Sequence, residues 1–318
     1  MVDQTLIKKA VQILRAGGLV AMPTETVYGL GADASDQAAI AKVFAAKGRP
    51  LDHPLIVHLA DISQLKGWAA SLSPNALKLA QAFWPGPLTL ILKKQPSVLK
   101  SLTAGQNTIG IRIPSHPVAQ ALLRAFGGGI AAPSANRFTH ISPTTAAAVR
   151  EELGNKVDLI LDGGECEVGL ESTIIDMSGD VPVILRPGMI TAAAIESVLG
   201  QAIQTRRQDT PDKVRAPGMH HVHYAPETPV RLMRLEELMA SLAMAELPVA
   251  VMTHSDIALP ANIHHVRMPE DAKQYAHDLY QVLRDLDHRG LRGIFIETVP
   301  EAIEWEAIRD RLSKAARV

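Results

Sequence analysis

One cysteine in 318 residues is the first scarcity in this sequence. Cys166 has no partner for an internal disulfide, and one thiolate cannot build a cysteine-based zinc site. A lone thiol suits a reducing compartment, so a cytoplasmic location is expected. Aromatic residues make up only 4%, too few to supply the stacking platforms on which RNA-binding modules rely. No uninterrupted apolar run reaches transmembrane length. The N-terminal "MVDQTLIKKAVQIL" alternates charged and apolar residues and lacks the apolar region of a signal peptide. No membrane partner is expected. The common phosphate signatures are missing too. There is no G-x-x-x-x-G-K-[ST] loop, and "FGGGIAAPSAN" runs into a strand without G-x-G-x-x-G spacing. Neither H-E-x-x-H nor G-x-S-x-G occurs. Any nucleotide must be held by a different arrangement.

What is present is a chain rich enough in apolar residues, at 47%, to bury a substantial core. Its length exceeds what a single core usually fills, so two domains are expected. The net charge of −1 conceals an asymmetry. Between Lys42 and Arg150 stand 12 Lys/Arg against only Asp52 and Asp61, whereas Glu151 to Glu171 holds seven acidic residues against Lys156. A local basic excess implies an anionic partner. Lys93, Lys94 and Lys100 read more simply as solvated surface.

Residues 4–16 predict an amphipathic helix stopped by Gly17-Gly18. Short apolar runs such as "PLIVHLA", "LTLIL", "TIGIRIP" and "STIIDM" alternate with helical stretches such as "DQAAIAKVFAAK", "SPNALKLAQAF" and "PVAQALLRAF". That alternation predicts an α/β fold, and strands that follow one another without a helix predict a mixed rather than purely parallel sheet. The stretch 201–228 is polar, contains prolines and lacks periodicity, as a linker does. Beyond it "PVRLM", "LPVAVMTHS" and "LRGIFIET" predict a smaller α/β domain. Its best helix places Ala276, Leu279, Tyr280 and Leu283 on one face before Gly290. The expected division is 1–205, a linker at 206–228, and 229–318.

The polar residues of interest fall at strand ends and turns. "PTETVYGLG" places Thr24, Glu25, Thr26 and Tyr28 just after a buried strand. "KGR" puts Lys47 and Arg49 on one side if the chain is extended there, and an ammonium beside a guanidinium fork suits polyphosphate. On a helix end the same pair would face solvent. Arg112 inside "IRIP" is hard to place unless it meets an anion. Its plain alternative is a buried ion pair, for which nearby sequence offers no acid. "PSAN" and "SPT" add small hydroxyl and amide groups suited to phosphate oxygens or a base edge, or equally to turns and caps. His58 reads most simply as a core histidine bonded to backbone. "HHVH" (His220, His221, His223) has no carboxylate or cysteine at ligand spacing, so a protein-held metal is not expected. Tyr224, in "HYAP", is a hydroxyl on the linker that can close over a ligand or pack it against a domain.

In order along the chain, "PTETVYGLG", "KGRP…HPLIVH", "WPGPLTLIL", "IRIP…HP", "APSAN…SPT", "ESTIID" and "ILRPG" resemble the blocks of the threonylcarbamoyl-AMP synthase family, the YrdC-like proteins, over roughly residues 10–200. The "APGM…HYAP" linker and the last domain resemble its long form. The resemblance implies a twisted mixed sheet of the YrdC-like type, with helices around a basic cavity. It also implies a Rossmann-like second domain whose linker covers that cavity. It implies condensation of L-threonine, bicarbonate or CO2 and ATP into threonylcarbamoyl-AMP and pyrophosphate, with Mg²⁺ accompanying ATP. The product would pass to a tRNA threonylcarbamoyl transferase complex, for N6-threonylcarbamoyladenosine beside the anticodon. By matched position, Thr26, His58, Arg112 and Ser172 would contact threonine. Lys47, Arg49, His53, Thr108, Ala132, Ser134, Asn136, Ser142, Arg186 and Tyr224 would contact the nucleotide. No residue is implied as a covalent nucleophile. Two other readings compete: a non-catalytic RNA-binding protein, which the low aromatic content and missing RNA-module motifs disfavour, and a carbamoyl-transferring enzyme, which normally needs cysteine-rich zinc motifs and more length.

Overall fold

Acidic and hydroxyl side chains start the helices where the sequence marks them. The structure, a computed structural model describing residues 2–205, 214, 216–218 and 223–316, begins with α1 (Gln4–Arg15). Its N-cap Asp3 accepts from the backbone N–H groups of Thr5 and Leu6. β1 (Val20–Met22) and β2 (Gly29–Asp33) lead to α2 (Gln37–Lys47), capped by Asp36 and closed by left-handed Gly48. β3 (Ile56–His58), α3 (Pro74–Phe83), β4 (Leu88–Lys93), β5 (Thr108–Arg112), α4 (Pro117–Phe126) and β6 (Ile130–Ala131) follow. α5 (Ala146–Leu153), β7 (Leu159–Ile160), β8 (Thr173–Asp176), β9 (Val183–Arg186), α6 (Ala192–Leu199) and β10 (Gln204–Thr205) complete the first unit.

These ten strands form one sheet in the order β10-β9-β8-β4-β5-β3-β6-β2-β1-β7. The expected mixture is present: β3 pairs parallel with β5, while β4–β5 and β3–β6 are antiparallel. The β3–β5 register sets His58 level with Arg112, so two polar residues from distant parts of the chain stand side by side on the sheet.

The second unit contains β11 (Val230–Met233), α7 (Leu235–Leu242), β12 (Val249–Thr253), β13 (His264–Arg267), α8 (Ala272–Asp287), β14 (Gly293–Glu297) and α9 (Glu306–Ala315). Its sheet, β11-β14-β12-β13, is parallel throughout, as a Rossmann-like unit requires. β13 departs from the sequence reading. "HHVR" has no apolar alternation, which an edge strand tolerates because only one side of it is paired and much of it stays accessible. The two units also share an apolar cluster. Val27, Ile141 and Leu170 of the first pack with Leu279, Tyr280 and Leu312 of the second. Among the described residues no helix is long and apolar enough to cross a membrane.

Candidate active site

The turn after β1 folds around its own hydroxyls. Thr24 donates its only hydroxyl proton to the Val27 carbonyl (2.6 Å), so Thr26 must donate to Thr24 across their 2.8 Å contact. Arg112 Nη1 in turn donates to Thr26 (2.8 Å), and its Nε donates to the Gly86 carbonyl. Thr26 therefore offers the adjoining cavity only an acceptor lone pair. Arg112 Nη2 lies 2.7 Å from Glu25 Oε1, yet neither atom makes a hydrogen bond. The buried ion pair considered for Arg112 exists after all. Its acid comes from the "PTET" turn, which the sheet brings beside β5. Tyr28, from the same turn, points away from the cavity and exchanges hydrogen bonds with Gly163 and Gly164.

A cavity opens beside this turn. Thr26, His58, Arg49, Arg112, Ala132, Ser134, Ser172, Arg186 and Tyr224, all expected at the site, line it together. His58 is buried with its Nδ1 unpartnered. Burial first, then Arg112, pushes its pKa down to about 3, so the ring faces the cavity as a neutral donor and acceptor. Arg49 donates to the Pro54 carbonyl (3.1 Å) and keeps Nε unpartnered; burial lowers its pKa only to about 10, so it stays charged. Arg186 spans the carbonyl and hydroxyl of Ser172 (2.9 and 3.1 Å). Among the described residues neither Arg49 nor Arg186 forms an ion pair with a carboxylate, an arrangement that costs free energy until an anion enters.

Five expected residues lie elsewhere. "KGR" is not extended: Lys47 ends α2, and left-handed Gly48 turns Arg49 away from it. Lys47 Nζ donates to the carbonyls of Ser134 and Asn136, both at 2.5 Å, so it clamps the "PSAN" loop from behind. Burial, then Arg49, holds its ammonium well below the usual lysine range. Asn136 spends its side-chain amide on the carbonyls of Arg137 and His140. Ser142 is fully buried and meets Glu171 at 2.5 Å. His53 packs edge-on against Phe138, 5.1 Å between ring centroids. Thr108 borders a smaller adjoining pocket, beyond Pro217.

Thr24, singled out with the "PTET" turn, lines the cavity too; the polar lining residues that the sequence reading did not place at the site are Glu171 and His223. Glu171 stood in "ESTIID" beside Ser172, and His223 was weighed only as a metal ligand. His220 and His221 lie outside the described residues, as does most of the expected 206–228 linker. Its described parts supply Pro217, Gly218, His223 and Tyr224 to the lining. Gly218 has a positive φ of 82°, and a Cβ there would collide with the Tyr224 hydroxyl. Burial, then the cations Arg49 and Lys47, holds His223 well below the normal histidine range, so it too is neutral. Burial opposes ionisation of Glu171, but Arg311 and Arg186 outweigh it and keep the carboxyl below its usual value. Among the described residues Glu171 is the only carboxylate in the lining, and its oxygens are engaged by Ser142, Tyr280 and Arg311.

Comparison with known proteins accounts for nearly the whole chain. A family profile described as "Telomere recombination", covering Sua5, YciO and YrdC proteins, matches residues 12–188. A second, described as "Threonylcarbamoyl-AMP synthase, C-terminal domain", matches residues 190–317. The chain is 41% identical to the threonylcarbamoyl-AMP synthase of Bacillus subtilis, over 98% of this chain and 92% of that protein. It is 36% identical to the enzyme of the same name from Schizosaccharomyces pombe, over 99% and 89%. Among solved structures, Pyrococcus abyssi Sua5 complexed with L-threonine superposes with a TM-score of 0.92 at 38% identity, covering 99% of this chain and 95% of that one.

Proposed function

The chain belongs to the threonylcarbamoyl-AMP synthase family, and on that premise we propose that it is an L-threonylcarbamoyladenylate synthase, a nucleotidyltransferase. The observation that carries the reading is the cavity itself. Two buried guanidinium groups with no carboxylate partner among the described residues, Arg49 and Arg186, share one wall with a neutral histidine and an acceptor-only threonine hydroxyl. Such a wall suits a polyanion on one side and a small amino acid on the other.

In this reading Thr26, His58, Arg112 and Ser172 hold L-threonine. Thr26 accepts from its amine, and Arg112 reaches its carboxylate with Nη2. The amine attacks the carbon of CO2 to give an N-carboxylate and a proton; from bicarbonate, water leaves in place of the proton. The N-carboxylate then attacks the α-phosphorus of ATP, and pyrophosphate departs. Arg49 and Arg186 neutralise the phosphates and the charge that develops on the leaving group. Ala132 and Ser134 border the nucleotide, and Tyr224 closes over it. Lys47 and Asn136 support this half by fixing the loop that carries Ser134. His53 and Thr108 are outer nucleotide contacts; Thr108 lines the adjoining pocket bordered by Pro217 of the linker, whose described residues 214, 216–218 and 223–228 form a strap beside the cavity. With His58 ionising near 3 and Tyr224 near 12, neither is poised to shuttle a proton at neutral pH, so positioning and charge neutralisation carry the catalysis.

Mg²⁺ fits here as a companion of the triphosphate. Both oxygens of Glu171, the one carboxylate in the lining among the described residues, are engaged, so the protein would hold the ion mainly through the nucleotide it accompanies. We assign the reaction to the cytoplasm and the product, an activated carbamate, to a tRNA-modifying transferase. Pyrophosphate release from ATP, with threonine and bicarbonate omitted in turn, tests the proposal. Release should require both; release indifferent to threonine would overturn it.

A further inference from the structure

One side chain of the second unit ties together three segments of the cavity wall without lining it. Arg311, on α9, is buried to 1% exposure. Its Nε donates to Glu171 (2.8 Å) and its Nη2 to the Pro187 carbonyl (3.1 Å), in the turn that follows Arg186. Its guanidinium carbon sits 5.0 Å from the centre of the Tyr224 ring, at cation–π distance. Tyr280, on α8, repeats two of these contacts. Its hydroxyl donates to Glu171 (3.0 Å), and its ring stacks on Tyr224 with centroids 5.9 Å apart. Lys314, one helical turn beyond Arg311, donates to the Gly218 carbonyl (2.8 Å). Three donors thus converge on Glu171, the third being Ser142. An ionised carboxylate only accepts, so the Ser142 proton is committed to Glu171 and this hydroxyl has none to give a phosphate.

We propose that Arg311 and Tyr280 are positioning residues for the nucleotide half of the site, acting through Glu171 and Tyr224, with Ser142 as a third strut of the same clamp. The inference rests on the synthase reading above. It gives the second unit a task within the reaction: it holds the strap residues and the Glu171 segment in one fixed relation around the phosphates.

The test uses the full chain. Tyr280→Phe keeps the ring contact and loses the donor to Glu171. Arg311→Lys keeps the charge and loses the planar contact. Each is expected to raise KM for ATP about fivefold, with KM for threonine changed by less than about twofold. Ser142→Ala should behave like Tyr280→Phe, and the two changes together should cost less than the product of their separate effects. Arg311→Met alone strands a buried charge and is expected to unfold. The pair Arg311→Met with Glu171→Gln keeps the interior neutral and should fold, yet retain the raised KM for ATP. The proposal is overturned if the folded pair and Tyr280→Phe both show the wild-type KM for ATP, or if both KM values rise together. If the wild-type chain releases no pyrophosphate, the synthase reading fails instead. ATP affinity of the same variants, measured by calorimetry, then still decides whether the clamp exists.

Discussion

In the second unit the buried carboxylate of Glu297, at the end of β14, is fully answered: it accepts from the backbone N–H groups of His254 and Ser255 and from the Ser255 hydroxyl. Around the cavity of the first unit, Arg49, His58 and Arg112 each keep a buried polar atom with no hydrogen-bond partner, as do His223 and Tyr224 of the strap. Among the described residues, no such atom lies beyond Tyr224. Leaving a buried polar group unmet costs roughly 1–3 kcal/mol. The first unit also leaves Ser101 Oγ and Gln120 Oε1 unmet away from the cavity, but Arg49, His58, Arg112, His223 and Tyr224 surround one cavity, where a ligand can complete them. The first unit is therefore built for ligands, and the second is a saturated scaffold that lends the site Arg311 and Tyr280.

The largest expected effect breaks the Glu25–Arg112 pair. Arg112→Ala strands the Glu25 carboxylate and should cost about 3–5 kcal/mol in urea unfolding, with threonine-dependent turnover lost. Arg112→Met with Glu25→Gln should recover most of that stability and none of the turnover. Recovery of both would reduce Arg112 to a structural residue.

A second, somewhat smaller effect depends on pH. Unfolded His58 takes up a proton near pH 6.5, whereas the folded ring does so only near 3. Between those values the unfolded state binds more protons, so stability rises with pH across the window and falls by a few kcal/mol as pH drops through it. Glu171, held below the usual glutamate range by Arg311 and Arg186, adds to the loss at the acid end. Urea midpoints measured from pH 7 to pH 4 should fall less steeply for His58→Gln than for the wild type. Parallel slopes would show that this ring is not buried neutral.

The smallest effect sharpens the contrast from the other side. Glu297→Gln removes the charge from a satisfied network in the scaffold and should lower stability by about 1–2 kcal/mol. Pyrophosphate release at 25 °C should stay within about twofold of the wild type. A collapse of turnover in a folded Glu297→Gln chain would mean that the second unit takes a more direct part in the chemistry.

Local order was legible because it is written locally. α1, α2 and α3 form where the sequence pattern predicts helices, and Asp3, Asp36 and Ser73 cap them. The Ala276–Leu283 face of α8 is buried as its period predicts. The edge strand β13 was not legible, since "HHVR" carries no alternation. Pairings between distant residues were also hidden. Glu25 reaches Arg112 through strand order, and Glu171 reaches Arg311 through the docking of two units, 140 residues apart in sequence. Lys47 shows the same limit in reverse. Its basic neighbourhood suggested a phosphate, while its position at the end of α2 turned its ammonium onto loop carbonyls. Chemical type could be read from the sequence; direction needed the fold.

The central claim, that the unmet polar atoms of the first unit assemble threonine, a one-carbon acid and ATP, is tested most directly by the identity of the product. The full chain would be supplied with ATP, threonine and ¹³C-bicarbonate, quenched rapidly and examined by mass spectrometry. The account predicts an adenylate whose mass contains AMP, threonine and one labelled carbonyl. An unlabelled threonyl adenylate, or ADP with no adenylate at all, would contradict it.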